Sequence, residues 1–104
     1  MTQPPKLTDE QRARALEKAA EARRVRAEVK QLLKMGSLTF AELLERADHE
    51  PVIGGIKVAG LLSSMPGTGK VKAKRLMEEL GIADNRRLRG LGDRQRQALL
   101  EHFS

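Results

Sequence analysis

Residues 61–74 read LLSSMPGTGKVKAK, and this stretch decides the fold. Its centre, Pro66-Gly67-Thr68-Gly69, is turn chemistry, because proline fixes one φ angle and glycine permits backbone angles that other residues avoid. Apolar residues recur at helical spacing on both sides of the turn: Val58, Leu61, Leu62 and Met65 before it, and Ala73, Leu76, Met77 and Leu80 after it. The pattern predicts two helices joined as a hairpin.

The start of the second hairpin helix favours an anionic partner. A glycine-bounded turn that opens directly into a helix leaves backbone N–H groups without intrahelical acceptors. Basic residues crowd the first turns of this helix and acidic residues lie near its end: Lys70, Lys72, Lys74 and Arg75, then Glu78 and Glu79. The helix dipole favours the opposite order, by about 0.3–1 kcal/mol per well-placed charge. This order suits a polyanion at the helix start, and the alternative is a solvated face whose charge order has no function.

The same stretch resembles the end of a nucleotide phosphate-binding loop, but it fails the test for one. That motif needs a glycine five residues before its Gly-Lys pair and a Ser or Thr after the lysine. Here Ser64 and Val71 occupy those positions, and the preceding residues have helical rather than strand periodicity. We therefore do not expect nucleotide hydrolysis.

Length and composition indicate one small helical domain. The chain has 104 residues, with two Phe and no Tyr, Trp or Cys, so its core must be built from aliphatic residues and Met. Without cysteine there are no disulfides and no cysteine-ligated metals, which suits a reducing compartment. No apolar run approaches the length of a membrane span and no signal region opens the chain, so we expect a cytosolic protein.

The positive charge is divided into two blocks. Of the net charge of +6, residues 1–35 carry nine basic and five acidic groups, and residues 70–96 carry nine and four. Residues 36–69 between them carry two basic and four acidic groups. A basic protein with such patterned charge favours a nucleic-acid partner.

The first basic block predicts one long helix. Thr8 and Gln11 have capping-box spacing, and the helix is expected to run to about Lys34, with Gly36 as its stop. Its apolar residues come late, at Val25, Val29, Leu32 and Leu33, so its first half should project from the domain. Arg23, Arg26 and Lys30 then form a second candidate contact for a polyanion; the alternative is a charged helix held by local ion pairs.

A shorter helix is predicted after it, from the Thr39 and Glu42 capping box to about Ala47, before the chain breaks at Pro51. His49 lies in this break with no second histidine nearby, since His102 is on the last helix. A surface histidine is the favoured interpretation, against a metal ligand or a catalytic group.

The second basic block continues beyond the hairpin. Gly81 is a natural left-handed cap for the second hairpin helix, with Ile82 as the apolar contact after it. Residues 86–92 read RRLRGLG, which predicts a loop anchored by its two leucines with guanidinium groups facing out, where they can bind phosphate. We expect Asp93 to cap a last helix that runs through Phe103, with Ala98, Leu99 and Phe103 facing the core.

These motifs together resemble a known family. A helix, the run Leu-x-x-Met-Pro-Gly-x-Gly, a second helix, Leu-Gly-Ile and a basic segment resemble the helix-two-turn-helix segment of a ribosomal protein family and of some DNA-repair glycosylases. Nearly the whole chain is similar to the actinobacterial integration host factors. The matching segments are Pro4-Pro5 with Leu7-Thr8, residues 26–30, Val52-Ile53-Gly54 with Lys57-Val58, residues 66–71, residues 80–82 and residues 86–92. Two positions depart from the pattern: Thr68, where an aliphatic residue is expected, and Gly55, where a basic one is expected.

The resemblance implies a nucleoid-associated, non-catalytic protein that binds duplex DNA with little sequence preference and alters its shape. We expect an all-α fold with about five helices: a flexible lead over residues 1–7, a long basic helix over 8–35 and a helix-two-turn-helix core over 36–104. The expected partner is double-stranded DNA, without a membrane, cofactor or metal, and the free protein should be a monomer. An RNA- or ribosome-binding module is the alternative. The predicted DNA-binding residues are Ser64, Gly67, Thr68, Gly69, Lys70, Lys72, Lys74, Arg86, Arg87, Arg89 and Arg94.

Overall fold

The computed structural model describes residues 8–104, and within that range it contains helices and no strand. The α-helices are α1 (Asp9–Lys34), α2 (Phe40–His49), α3 (Pro51–Gly54), α4 (Val58–Ser64), α5 (Gly69–Leu80) and α6 (Asp93–His102), with a 3₁₀ turn at Leu88–Gly90. The all-α prediction is confirmed. The flexible lead predicted over residues 1–7 lies outside the described residues.

Helix α1 has the predicted bounds and the predicted projection. The Thr8 side chain accepts from the backbone N–H of Gln11, and the Gln11 side chain accepts from the backbone N–H of Thr8. Gly36, with φ of 76°, turns the chain after the helix. Only Val29 and Leu33 are fully buried, whereas residues 9–21 are exposed. Since 26 residues span about 39 Å, roughly half of α1 extends beyond the core.

Helix α2 begins at the predicted capping box but ends two residues later than predicted. Thr39 caps it together with Glu42, and it continues through His49 because only Glu50, the residue before Pro51, leaves helical backbone angles. Pro51 then begins α3, a single turn that was not predicted from the sequence. Proline suits the first position of a helix, where its missing N–H is not needed. From the sequence, Pro51 was expected only to end the preceding helix.

The hairpin of α4 and α5 forms the centre of the core. The inward residues predicted for α4 are all buried, and so are those of α5 except Leu80, which is half-buried. Helix α1 packs on α3 and α4, and α6 packs on α2. Ion pairs join Arg46 to Glu50 (2.8 Å) and Arg96 of α6 to Asp48 of α2 (3.2 Å).

The chain leaves the hairpin through the predicted cap. Gly81 has φ of 69°, and the Ile82 N–H donates to the Met77 carbonyl at 2.9 Å, which closes the helix end. At α6, however, the predicted cap at Asp93 is wrong. Gly92 is the N-cap residue, and its backbone N–H donates to the Gln95 side chain at 3.0 Å, so Asp93 lies inside the first turn.

No helix in the described range is both long enough and apolar enough to cross a membrane.

Candidate nucleic-acid interface

The hairpin turn is open to a ligand at its backbone. Gly67 and Gly69 have φ angles of 75° and 65°, and a Cβ atom at either position would meet no other atom within 4 Å. The turn is closed by the Thr68 N–H, which donates to the Met65 carbonyl at 3.1 Å. Helix α5 starts at Gly69, so the N–H groups of its first turn have no intrahelical acceptor and remain available to an anion.

The outward face of α4 is made of small residues. Val58, Leu61 and Leu62 are buried, and the other positions are Ala59, Gly60, Ser63 and Ser64. The serine hydroxyls donate to carbonyls of their own helix: Ser63 to Ala59 at 2.8 Å and Ser64 to Gly60 at 2.9 Å. The α4 side chains on this face are therefore short, and Lys30 of α1 lies across the face at Gly60.

The predicted lysines of α5 are divided between two sides of that helix. Lys70 and Lys74, one turn apart, line a hollow of about 380 Å³ together with Gly60 and Ser63 of α4. Lys72 lies on the other side, in a hollow of about 450 Å³ shared with Arg75 and Glu79 of α5 and His102 of α6. Its Nζ donates to the Gly67 carbonyl at 3.3 Å, which ties it to the turn. Lys70 and Lys74 therefore belong with the small face of α4, and Lys72 does not.

Four basic side chains meet in a second hollow, which shares Ala59 and Gly60 of α4 with the hollow of Lys70 and Lys74. Arg26 and Lys30 of α1, Lys57 before α4 and Arg87 line a depression of about 360 Å³, which we call the basic hollow. Gly55, Ile56, Ala59 and Gly60 complete its lining. The salt bridges among the described residues join Arg14 to Glu10, Arg46 to Glu50 and Arg96 to Asp48, so none neutralises a cation of the hollow.

Backbone pairing explains why Arg87 reaches the basic hollow. The Val58 N–H donates to the Arg86 carbonyl and the Leu88 N–H donates to the Ile56 carbonyl, each at 2.9 Å. These bonds form a single antiparallel bridge between Lys57 and Arg87. Burial of Leu88 holds the segment down, as predicted from its leucines.

The guanidinium groups of the RRLRGLG segment are more constrained than predicted. Arg87 donates to the Gly55 carbonyl, and Arg86 donates to the Gly90 carbonyl at 2.7 Å. The Arg89 side chain passes over Gly54 and Gly55, beside the basic hollow. Only Arg87 among these arginines lines the hollow itself. Arg94 is exposed in the first turn of α6 and lines none of the hollows described above.

Arg26 and Lys30 do not lie on the projecting part of α1. Lys30 crosses Gly60, where an added Cβ would approach its Cε and Nζ to 3.1 Å. The structure thus brings two of the three residues of the predicted second contact beside the arginine segment. Arg23 is exposed on α1 and is not part of the basic hollow.

Two basic residues that line the hollows around α4 were not among the DNA-binding residues predicted from the sequence. Lys57 lines the basic hollow, and Lys34 lines a hollow of about 610 Å³ with Ser63, Ser64 and the turn. Lys57 carried one signal in the sequence: only it and Arg46 are basic in the acidic middle block, and it directly precedes the hairpin. Lys34 carried none, because its neighbours come from a distant part of the chain.

The titratable groups with shifted pKa values lie in a helix cap and in ion pairs that stabilise the fold. The hydrogen bond that the Thr39 backbone N–H donates to the Glu42 carboxylate lowers the pKa of Glu42. Hydrogen bonds from Arg96 and Arg46 lower the pKa of Asp48 and of Glu50, respectively. The described residues contain no group of three or more His, Asp or Glu that could hold a metal ion. His49 is exposed, and His102 makes an edge contact with the Phe103 ring, with 4.7 Å between ring centroids.

Comparison with known proteins places this arrangement in a family. Residues 33–103 match the family model of the S13-like H2TH domain, which covers the core from the end of α1 to α6. The chain is 60% identical over 99 residues to a protein of Mycobacterium tuberculosis named integration host factor, and the match covers 95% of this chain and 94% of that protein. It is 54% identical over 99 residues to the integration host factor of Streptomyces coelicolor, covering 95% and 92% of the two chains.

A solved structure agrees with these relatives. It is described as sIHF bound to an 8bp palindromic DNA, and it superposes with a TM-score of 0.81 at 50% identity, covering 85% of this chain and 99% of that one. The resemblance drawn from the motifs is confirmed: this chain belongs to the actinobacterial integration host factor family, whose core is a helix-two-turn-helix domain.

Proposed function

We propose that this protein is a nucleoid-associated, architectural protein that binds duplex DNA mainly through its backbone and shape. The observation that carries the proposal is the surface around α4. A face of small side chains is bordered by Arg26, Lys30, Lys57 and Arg87 on one side and by Lys70 and Lys74 on the other. Such a surface suits a polyanion that must come close to the protein backbone.

The contacts divide by their chemistry. Gly67, Gly69 and the free N–H groups of the first α5 turn receive one phosphate, with Ser64 and Thr68 at the edge of the same turn. Lys70 and Lys74 neutralise its neighbours along the strand, and Lys72 and Arg94 lie at the margin. At the other edge of the same α4 face, Arg86, Arg87 and Arg89 follow the adjacent strand or the groove edge. These contacts carry little sequence information, so binding is largely independent of sequence and bends or compacts the DNA.

The comparisons support duplex DNA over the RNA or ribosomal alternative, because the relatives are named integration host factors and the solved neighbour is described as bound to DNA. The role is not enzymatic. A position on the nucleoid in the cytoplasm follows from this function and is part of the proposal.

Fluorescence anisotropy with a short labelled duplex tests the proposal. If about four to six phosphates are contacted, the logarithm of the association constant plotted against the logarithm of the salt concentration should have a slope near −4 to −5. Duplexes of unrelated sequence should bind within a few-fold of one another, and a structured RNA of equal length should bind more weakly at the same salt. A salt-independent affinity, or tighter binding to the RNA, would contradict the proposed function.

A further inference from the structure

The basic hollow holds more charge than a single DNA phosphate requires. It brings together Arg26, Lys30, Lys57 and Arg87 without a carboxylate in its lining, whereas the hollow beside Lys70 includes Asp84 and the one beside Lys72 includes Glu79. A backbone phosphate of DNA carries about one negative charge. Like charges gathered in one depression repel each other, and a multiply charged anion relieves this repulsion.

The hollow is also partly shaped in advance. Arg87 is fixed by its bond to the Gly55 carbonyl and by the bridge to Lys57, and Lys30 is guided across Gly60, which has no side chain. The four cations come from three segments whose backbones the core holds in place, and the side chains of Arg87 and Lys30 are already restrained, so binding an anion costs less side-chain freedom at these two residues. The depression of about 360 Å³ lies in the range of small-ligand sites and is more enclosed than the hollows on the two sides of α5.

We propose that the basic hollow is a binding site for the diphosphate group of a soluble anion, and that its occupation excludes duplex DNA from this face. A diphosphate carries about three negative charges at neutral pH and several oxygen acceptors, which match two guanidinium and two ammonium groups. Ala59 provides apolar contact at the edge of the site. The exclusion of DNA rests on the proposed function, whereas the binding of diphosphate does not.

Isothermal titration calorimetry tests the site: the full chain is titrated with inorganic pyrophosphate in the absence of DNA and of divalent cations. We expect saturable binding with one pyrophosphate per protein. ADP should bind comparably, and AMP and orthophosphate at least about tenfold more weakly, since each lost charge-assisted contact costs about a factor of ten. Equal affinity for orthophosphate and pyrophosphate would overturn the diphosphate assignment, and so would binding of ADP without binding of pyrophosphate.

Lys57→Gln locates the site. Its side chain is exposed and the bridge to Arg87 uses only its backbone, so the variant keeps the fold, which circular dichroism verifies. Pyrophosphate affinity should fall about tenfold or more. Lys18→Gln, with the same charge change on the projecting part of α1, should change it less than twofold. Equal losses in the two variants would mean that pyrophosphate responds to net charge alone, which would overturn the site.

The exclusion of DNA is measured separately, by adding pyrophosphate to a labelled duplex complex and comparing it with sodium chloride at equal ionic strength. Pyrophosphate should release the duplex at concentrations where chloride does not. Release that requires the same ionic strength from both salts would overturn the exclusion. A chain that never binds the duplex would refute the proposed function, while the pyrophosphate titration alone still decides the site.

Discussion

Replacing Arg26 and Lys30 together by glutamine separates one continuous DNA-binding face from two independent ones. From the sequence, these residues were expected on a projecting helix, remote from the hairpin. In the structure they line the basic hollow with Arg87. If each side chain contacts one phosphate, the slope of log association constant against log salt becomes shallower by about 1.8 in the double variant. With equal affinities at 1 M salt, this change of slope lowers the affinity at 0.1 M salt by about 60-fold.

The assay is fluorescence anisotropy with a duplex of about ten base pairs, which spans about 34 Å. The matched control is Lys18→Gln with Arg24→Gln, which removes the same two charges from exposed positions of α1 outside the hollow. The control should lose only a few-fold in affinity and leave the salt slope nearly unchanged. Equal losses in both double variants would show that only net charge matters, and an unchanged slope after Arg26 and Lys30 are replaced would refute their contact with phosphate.

Three further predictions concern the turn, the core and acid stability. Gly69→Ala and Gly81→Ala place a side chain at φ angles of 65° and 69° with no atom within 4 Å, so each should lower the unfolding free energy by about 1–2 kcal/mol. Only Gly69→Ala should also weaken the binding of duplex DNA. Equal effects of the two substitutions on DNA affinity would show that Gly69 is purely structural. Leu61→Ala, at a fully buried position, should lower the unfolding free energy in urea by about 2–5 kcal/mol, and a loss below 1 kcal/mol would contradict the packing of α4. The hydrogen bond from Arg96 lowers the pKa of Asp48, so the stabilisation by this ion pair is present at neutral pH and is lost as pH falls below about 4. Asp48→Asn should therefore reduce the fall of the melting temperature with decreasing pH in that range. An unchanged fall of the melting temperature in the variant would count against the ion pair.

The sequence by itself determined the elements whose signals are local. Apolar spacing and the Pro66–Gly69 turn were sufficient for the hairpin, and the side-chain pairs of Thr8 with Gln11 and Thr39 with Glu42 marked two helix starts. The left-handed cap at Gly81 was equally readable. Each of these depends on residues within a few positions of one another, where backbone geometry limits the outcomes.

Two local signals were misread, because one residue served two helices in the first case and two residues competed for one cap in the second. Pro51 both ends α2 and begins α3, and only the packing of Ile53 into the core shows that a helical turn forms there. At the start of α6, Gly92 with Gln95 takes the cap that Asp93 was expected to supply.

The candidate site depended on tertiary structure in a different way. The charges of Arg26, Lys30, Lys57 and Arg87 are evident in the sequence, but their meeting in one hollow requires α1 to pack on α4 and the Arg87 segment to pair with Lys57. The division of Lys70 and Lys74 from Lys72 likewise depends on which side of α5 faces α4. Helical periodicity gives the angle of a residue about its own helix axis, whereas burial of side chains such as Val29, Leu61 and Leu88 decides what lies opposite it.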